Sequence, residues 1–331
     1  MTDPLRVVSI GGGTGLSSLL NGLKAYAHSD TGPRAEITAI VTVTDDGGSS
    51  GRLRREFDVL PPGDIRSCMV ALAEDEAFLS RLFQYRFSAG DGLKGHSFGN
   101  LFLTALTHIT GDFPDAVRKS SEVLKIAGQI FPSTASNVSL EAVLEDGEVV
   151  CGETRISRSR QPIRRIRLAP RRVKPLKETL LAIGEADLIT LGPGSLFTSV
   201  IPNLLVQGVP KAIRQSKALK ACFVNLMSQP GETTSFTASD HLAAILRHAG
   251  EKLLDCAVLS NSQITKSLRR RYSAQNSAPV ENDVDAVRAL GVEVIEADLL
   301  MKGPKVRHDP AAIARVAMEL AMRGRLRRMA N

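Results

Sequence analysis

The N-terminal segment constrains this chain more than any other. Residues 5–10, Leu-Arg-Val-Val-Ser-Ile, form a short apolar run, and Gly11, Gly12, Gly13, Thr14 and Gly15 follow without a break. Beyond them Leu16, Leu19, Leu20 and Leu23 recur on one face at helical spacing. A strand, a glycine loop and a helix in direct succession suit an anionic ligand. Glycines let the backbone turn sharply and approach a ligand with no Cβ in the way. The free N–H groups at the helix start favour negative charge. A dinucleotide fingerprint would place a third glycine where Leu16 stands, with an acid about 20 residues further on. Here the acids come later, at Asp45 and Asp46, which disfavours an NAD dehydrogenase.

The rest of the chain repeats the strand–helix rhythm. Residues 37–43 form a second apolar run rich in β-branched side chains, and the region 63–127 carries helical periodicity, as in Ile65, Cys68, Met69 and Leu72 and again from Phe98 to Ile109. After residue 176 the pattern predicts a helix over 176–184, a strand over 188–191, a helix over 196–206 and a strand over 221–226. A helix over 240–248, strands over 254–259 and 292–295 and a closing helix over 309–322 follow. Such alternation predicts an α/β domain with a doubly wound, mostly parallel sheet and helices on both faces. Between 129 and 170 the pattern changes. Residues 138–144 and 149–151 flank Asp146-Gly147, which reads as a hairpin. The expected organisation is a single domain over 1–331, its core at about 5–128 and 176–320, interrupted by a small antiparallel β insertion over about 129–170.

Composition narrows the class. With 43% hydrophobic residues among 331, the chain can bury a sizeable core. No apolar run approaches the ~18 residues of a membrane span, and the first residues lack the pattern of a secretory leader, so a cytoplasmic location is expected. The four cysteines form no C-x-x-C pair, which predicts reduced thiols. The net charge of +7 suits an anionic partner. It comes from two clusters. One holds Arg155, Arg158, Arg160, Arg164, Arg165, Arg167, Arg171, Arg172 and Lys174. The other holds Arg323, Arg325, Arg327 and Arg328. Both read as solvated surface more readily than as an anion-binding face. With no tryptophan and three tyrosines, base-stacking platforms are scarce, so nucleic acid is not an expected partner.

Further motifs fall at strand ends. Asp45 and Asp46 sit in Thr44-Asp45-Asp46-Gly47-Gly48-Ser49-Ser50, a run too small and polar to pack a core. Adjacent carboxylates there could hold a sugar hydroxyl, activate a nucleophile or bind Mg²⁺ beside a phosphate. In Pro61-Pro62-Gly63-Asp64-Ile65-Arg66, Asp64 reads as a helix cap, and Arg66 in the first turn opposes the helix dipole unless an anion faces it. Ser97 is a candidate cap, with His96 and Asn100 one turn apart beside it. A second glycine loop, Gly192-Pro193-Gly194-Ser195, follows the strand at 188–191. Two such loops on one sheet edge predict either two anion sites or one ligand with a diphosphate. Asn225, Gln229, Glu232 and Thr233 add polar groups to the same edge. Asp309-Pro310 reads as a cap and first helical residue, leaving Arg307 free to reach a ligand. The P-loop G-x-x-x-x-G-K-[ST] is missing from the sequence.

At these positions the sequence resembles a known family. IGGGTGLSSLLNGLK, ITAIVTVTDDGGSSGRLR, LPPGDIRSCMVALA, LFQYRF, GHSFGNL, LGPGSLFTSVIPNLL and NLMSQPGET look, in that order, like the bacterial gluconeogenesis factor (YvcK) family of the CofD-like superfamily. The resemblance runs from about residue 5 to 320. It implies a Rossmann-like fold, a cytoplasmic protein, and a role in carbon partitioning and cell-wall or cell-shape maintenance on gluconeogenic carbon sources. It also implies a UDP-sugar ligand, UDP-N-acetylglucosamine, with Thr14, Asn203 and Arg307 as matching contacts. CofD is a Mg²⁺-dependent transferase that moves a phospholactyl group from a guanosine diphosphate carrier to a deazaflavin precursor, and its acidic loop corresponds in type to Asp45 and Asp46.

Three readings follow: a UDP-sugar-binding regulator acting through unidentified protein partners, a CofD-like transferase, and a nucleic-acid-associated protein. The first requires intact recovery of the nucleotide sugar, the second release of a nucleoside monophosphate, the third steep salt dependence. A homodimer is compatible with all three. The candidate ligand-binding residues are Gly11, Gly12, Gly13, Thr14, Gly15, Asp45, Asp46, Arg66, His96, Asn100, Gly192, Gly194, Ser195, Asn203 and Arg307, with Asp45 and Asp46 the candidates for catalysis or Mg²⁺.

Overall fold

A computed structural model describes residues 3–74, 78–159 and 161–330. Its strands are β1 (Leu5–Gly11), β2 (Ala35–Val41), β3 (Gln129–Pro132), β4 (Ser139–Leu144), β5 (Val149–Cys151), β6 (Ile163–Ala169), β7 (Leu188–Leu191), β8 (Leu219–Phe223), β9 (Cys256–Ser260) and β10 (Glu293–Ala297). Seven of them form one sheet in the order β10-β9-β8-β7-β1-β2-β3, and every pairing in it is parallel. Six of the seven β1 residues are buried, as a central strand covered on both faces requires. The chain leaves β1 toward β2 on one side, and later runs from β7 through β8 and β9 to β10 on the other. Right-handed crossovers in opposite directions put helices on opposite faces. The helices Gly13–Ala27, Gly63–Leu72 and Pro310–Ala330 accordingly pack together on one face, and those at Lys177–Glu185, Val209–Gln215 and Ala238–Ala249 serve the other. The reversal of strand order lies between β1 and β7, where a doubly wound sheet leaves a crevice at its carboxyl edge.

The expected α/β architecture is the observed one, with two shifts of detail. First, β3 pairs in parallel with β2, so the stretch from residue 129 opens in the large sheet. The antiparallel piece is the three-stranded sheet β5-β4-β6, which begins at Ser139 rather than at 129. Second, the closing helix runs to Ala330 instead of ending near 322. The hairpin β4–β5 forms as the Asp146-Gly147 turn predicts. The predicted helix over 196–206 is a π-helical turn, Leu196–Val200, followed by one α-turn, Ile201–Leu204.

The two basic clusters have different fates. In the tail, Arg325 and Arg328 both pair with the fully buried Asp187, at 2.6 and 3.1 Å. Arg323 reaches Glu293 and Arg327 reaches Asp255, each at 2.8 Å. The tail arginines therefore clamp the last helix to the base of the sheet instead of forming a solvated patch. In the other cluster, Arg164 and Arg165 are exposed on β6, and Arg160 lies outside the described residues. The four cysteines are free, and Cys68, Cys222 and Cys256 are buried. Among the described residues, no single helix is long and apolar enough to cross a membrane.

Candidate functional site

The two glycine loops meet at the β1–β7 crevice. A Cβ built on Gly15 would lie 2.4 Å from the carbonyl oxygen of Pro193, so the first loop's helix starts directly against the second loop. Only glycine permits that approach. Together the loops line one cleft of about 210 Å³, which contains Gly12, Gly13, Thr14 and Gly15 from one side and Pro193, Gly194 and Ser195 from the other. Of the two alternatives left open by the sequence, the single shared site is the one the geometry supports. The 15-residue helix from Gly13 aims its N-terminus into the cleft, and its N-cap residue Gly12 has no side chain to cap it, which leaves the Thr14 and Gly15 amides for an anion.

The remaining wall arrives from far along the chain. Asn225 donates to the Gly194 carbonyl at 2.9 Å, and Gln229 donates to the Ser195 hydroxyl at 2.8 Å; both line the cleft and fix the second loop. Arg307 and His308 close the opposite side. Their position follows from a tight helix crossing: a Cβ on Gly22 would meet the Pro310 carbonyl at 1.9 Å. The last helix can therefore begin against the first, capped by Asp309, whose carboxylate accepts from Ala312 N–H at 3.0 Å. His308 is buried, and desolvation lowers it to about 4, so it stands neutral beside the exposed Arg307.

Behind the loops lies a pocket of carboxyl groups. Asp64 does not cap its helix, whose N-cap is Pro62. Its carboxylate accepts from the Gly13 N–H instead, while burial and then the neighbouring Asp45 push it up to about 7. Half-buried Glu153, from the short helix after β5, is raised to about 9 by burial and by Asp45, Asp64, Glu232 and Asp46. Buried Glu232 is also raised by desolvation, although it accepts from Thr198 at 3.2 Å and Ser157 at 3.1 Å. Sequence reading missed Asp64 and Glu153 as members of this site. Asp64 resembled a cap, and Glu153 stands alone between a hairpin and an arginine run.

Comparisons with known proteins place the chain in a family and show its fold elsewhere. Residues 7–300 match the family model described as 2-phospho-L-lactate transferase CofD. A gluconeogenesis factor from Bacillus subtilis is 44% identical over 316 residues, covering 95% of this chain and 98% of that protein. A gluconeogenesis factor from Halalkalibacterium halodurans is 46% identical over 315 residues, with coverage of 95% and 96%. The chain belongs to the gluconeogenesis factor family of CofD-like proteins. A crystal structure of a Bacillus halodurans protein superposes with a TM-score of 0.92 at 44% identity, covering 96% of this chain and 100% of that one.

The family's motifs distribute unevenly over the site. Thr14 and Arg307, two of the three contacts implied by the resemblance, line the cleft. Asn203, the third, does not: it is fully buried beneath the first loop and donates to the Gly11 and Ser199 carbonyls at 3.2 and 2.7 Å. It braces the loop from below. Gly11 and Gly192 are buried beneath the cleft, in mutual contact. His96 and Asn100 lie away from the cleft as well. Both bond the Ser49 hydroxyl, at 2.9 and 3.1 Å, and so anchor the acidic loop, with Ser97 capping the helix as expected. Arg66 lines an adjoining groove.

Asp45 and Asp46 diverge. Asp45 accepts from Gly47 N–H at 2.8 Å, while Asp46 accepts from both the amide and the hydroxyl of Thr154, at 2.9 and 2.6 Å. Among the described residues, no three His, Cys, Asp or Glu side chains are arranged to hold a metal ion.

Proposed function

We propose that this protein is a cytoplasmic regulatory nucleotide-sugar binder, a gluconeogenesis factor that takes UDP-N-acetylglucosamine and supports cell-wall and cell-shape maintenance on gluconeogenic carbon sources. The observation that carries the reading is the contact between the two glycine loops, which turns two helix-start anion sites into one diphosphate-sized cleft. The backbone amides of Thr14 and Gly15 serve the diphosphate, with Arg307 adding charge and Thr14 a hydroxyl. A hollow of about 200 Å³ adjoins through Asn225 and is lined by Ser260, Asn261, Ser262, Asn282 and the cationic Arg269. Its amides and hydroxyls suit a base and ribose.

The test is calorimetric titration with UDP-N-acetylglucosamine, with and without Mg²⁺, followed by chromatography of the recovered nucleotide. Saturable binding with the ligand recovered intact is expected. Arg307→Ala and Thr14→Ala should weaken it, Arg307→Ala by roughly tenfold to a hundredfold, with unchanged melting. Release of a nucleoside monophosphate in the presence of a hydroxyl acceptor would favour a CofD-like transferase instead. Unaltered affinity in both variants would move the site elsewhere.

A further inference from the structure

The tail arginines each meet a carboxylate, and the cations of the β insertion do not. Among the described residues, the side chains of Arg165, Arg167, Arg171, Arg172 and Lys174 make no ion pair and no hydrogen bond. All but Arg167 are exposed. Their backbone is nevertheless held. β6 pairs with β4 along its length. Beyond it, Val173 is buried and its carbonyl accepts from the Gln207 N–H at 3.0 Å, while the Lys174 carbonyl accepts from the Thr134 hydroxyl at 2.7 Å. Charges on a fixed backbone lose less freedom when a partner arrives. Arg165 and Arg167 stand on one face of the antiparallel sheet, opposite Val143 and Glu141 of β4. The outer edge of β6 is closed: His248 Nε2 accepts from the Ile166 N–H at 2.9 Å, and Arg247 donates to the Arg164 carbonyl at 3.4 Å. A partner therefore reads side chains on the face and adds no strand at this edge.

We propose that the arginine face of the insertion docks an acidic segment of a partner protein. Unpaired surface cations of this kind steer and hold an anionic partner. The local chemistry favours a protein over other polyanions. No aromatic residue stands on β4, β5 or β6, so nucleobases find no stacking platform. Glu141 lies across from Arg167, and the β4–β5 turn carries Glu145, Asp146 and Glu148. A phosphate backbone or an anionic membrane presents one sign of charge everywhere and is repelled at those acids. A protein varies its charge residue by residue, with acids at the arginines and a polar or basic group at Glu141. The insertion is also fastened to the glycine-loop cleft. Asp46 holds Thr154 of the short helix after β5, and Glu232 bridges Ser157 to Thr198, just past the second loop. A partner seated here rests on an element tied to the cleft. The proposal holds whatever ligand the cleft takes, and its test uses no nucleotide.

Three probes make the test on the full chain at low and moderate salt: a labelled peptide of alternating glutamate and serine, a labelled single-stranded oligothymidylate, and phosphatidylglycerol vesicles. The peptide is expected to bind saturably and more tightly than the other two, with affinity falling as salt rises. Arg165→Glu combined with Arg167→Glu should weaken the peptide by about tenfold or more. Lys266→Glu combined with Arg270→Glu makes the same change in net charge on the exposed helix Lys266–Ser273 and should leave peptide affinity within about twofold. Thermal melting checks that the strand variant is folded. If it is not, Arg171→Glu combined with Arg172→Glu, outside any strand, carries the same expectation as the strand pair. Equal losses in the insertion and control pairs mean that the peptide senses only net charge, and the docking face is overturned. So it is if the peptide fails to bind. Tighter binding of the oligothymidylate or the vesicles through the same arginines makes the partner a phosphate polymer or a membrane, and overturns the protein assignment.

Discussion

Two adjoining regions at the same sheet edge are built on opposite principles. The glycine-loop cleft presents backbone amides, hydroxyls and Arg307 to solvent, with its neighbouring histidine held neutral. A few ångströms behind it, Asp45, Asp46, Asp64, Glu153 and Glu232 crowd into one another's fields, and burial keeps Asp64, Glu153 and Glu232 toward their protonated forms. The first region uses the absence of side chains to admit an anion. The second uses carboxyl groups as internal hydrogen-bond acceptors that tie the acidic loop, the insertion and the second loop together: Asp46 to Thr154, Glu232 to Ser157 and Thr198. The contrast teaches that carboxyl groups beside a glycine loop can bind the chain's own amides and hydroxyls while the loop itself stays open.

The largest effect should come from joining the two loops less closely. In Gly15→Val the new Cβ meets a backbone carbonyl, which cannot rotate away as a side chain could. Nucleotide-sugar affinity should drop at least a hundredfold, and stability by roughly 1–3 kcal/mol as the loops part. Calorimetry beside thermal melting separates the two. Near-native affinity would mean that the loops act independently and that the shared cleft is not the site.

Much of this region was legible in the sequence. The strand–glycine–helix patterns gave both loops, the α/β rhythm gave a mostly parallel sheet, and Asp309-Pro310 marked the cap that leaves Arg307 at the cleft. What was not legible depended on contacts between distant segments. Arg307 and Thr14 meet because Gly22 lets Pro310 approach it, and spacing carries no trace of a crossing between residues nearly 290 apart. The strand β6 was hidden inside the arginine run. Its pairing slips between Val143 and Leu144, so Arg164 and Arg165 are both exposed and the alternation of Ile163, Ile166 and Leu168 breaks. The helix Phe98–Thr110 turned a different face inward than its apolar stripe suggested. Asn100 and Thr104 are buried against the acidic loop, and Ile109 is 78% exposed.

The acidic region can be tested through stability. An unfolded Glu153 titrates near 4.5, and the folded one near 9. Between those values the folded protein retains a proton that the unfolded chain has released, so stability must fall as pH rises through that window. Asp64 adds a loss of the same sign, complete by about pH 7. Denaturant unfolding should show a decline on the order of 2–4 kcal/mol from pH 5 to pH 9. Glu153→Gln, which stays neutral throughout, should remove most of that slope and be the more stable form at pH 9, with little difference at pH 5. A native protein with flat stability across this range would show that the carboxyl groups are solvated and ionised.

The smallest effect links the two regions. Asp64 touches both, since its carboxylate accepts from the same Gly13 N–H that faces the cleft. Once ionised, it holds that amide more strongly and places a negative charge behind the anion site. The diphosphate of a nucleotide sugar keeps its charge across neutral pH, so any change in affinity there must come from the protein. Affinity should therefore weaken roughly threefold to tenfold between pH 6 and pH 8. Asp64→Asn preserves the shape and an acceptor oxygen while removing the titration, and its affinity should stay level over the same range. If the variant keeps the native slope, Asp64 is already uncharged or too well screened to act on the cleft. The carboxyl pocket would then be scaffold alone, electrically separate from the site in front of it.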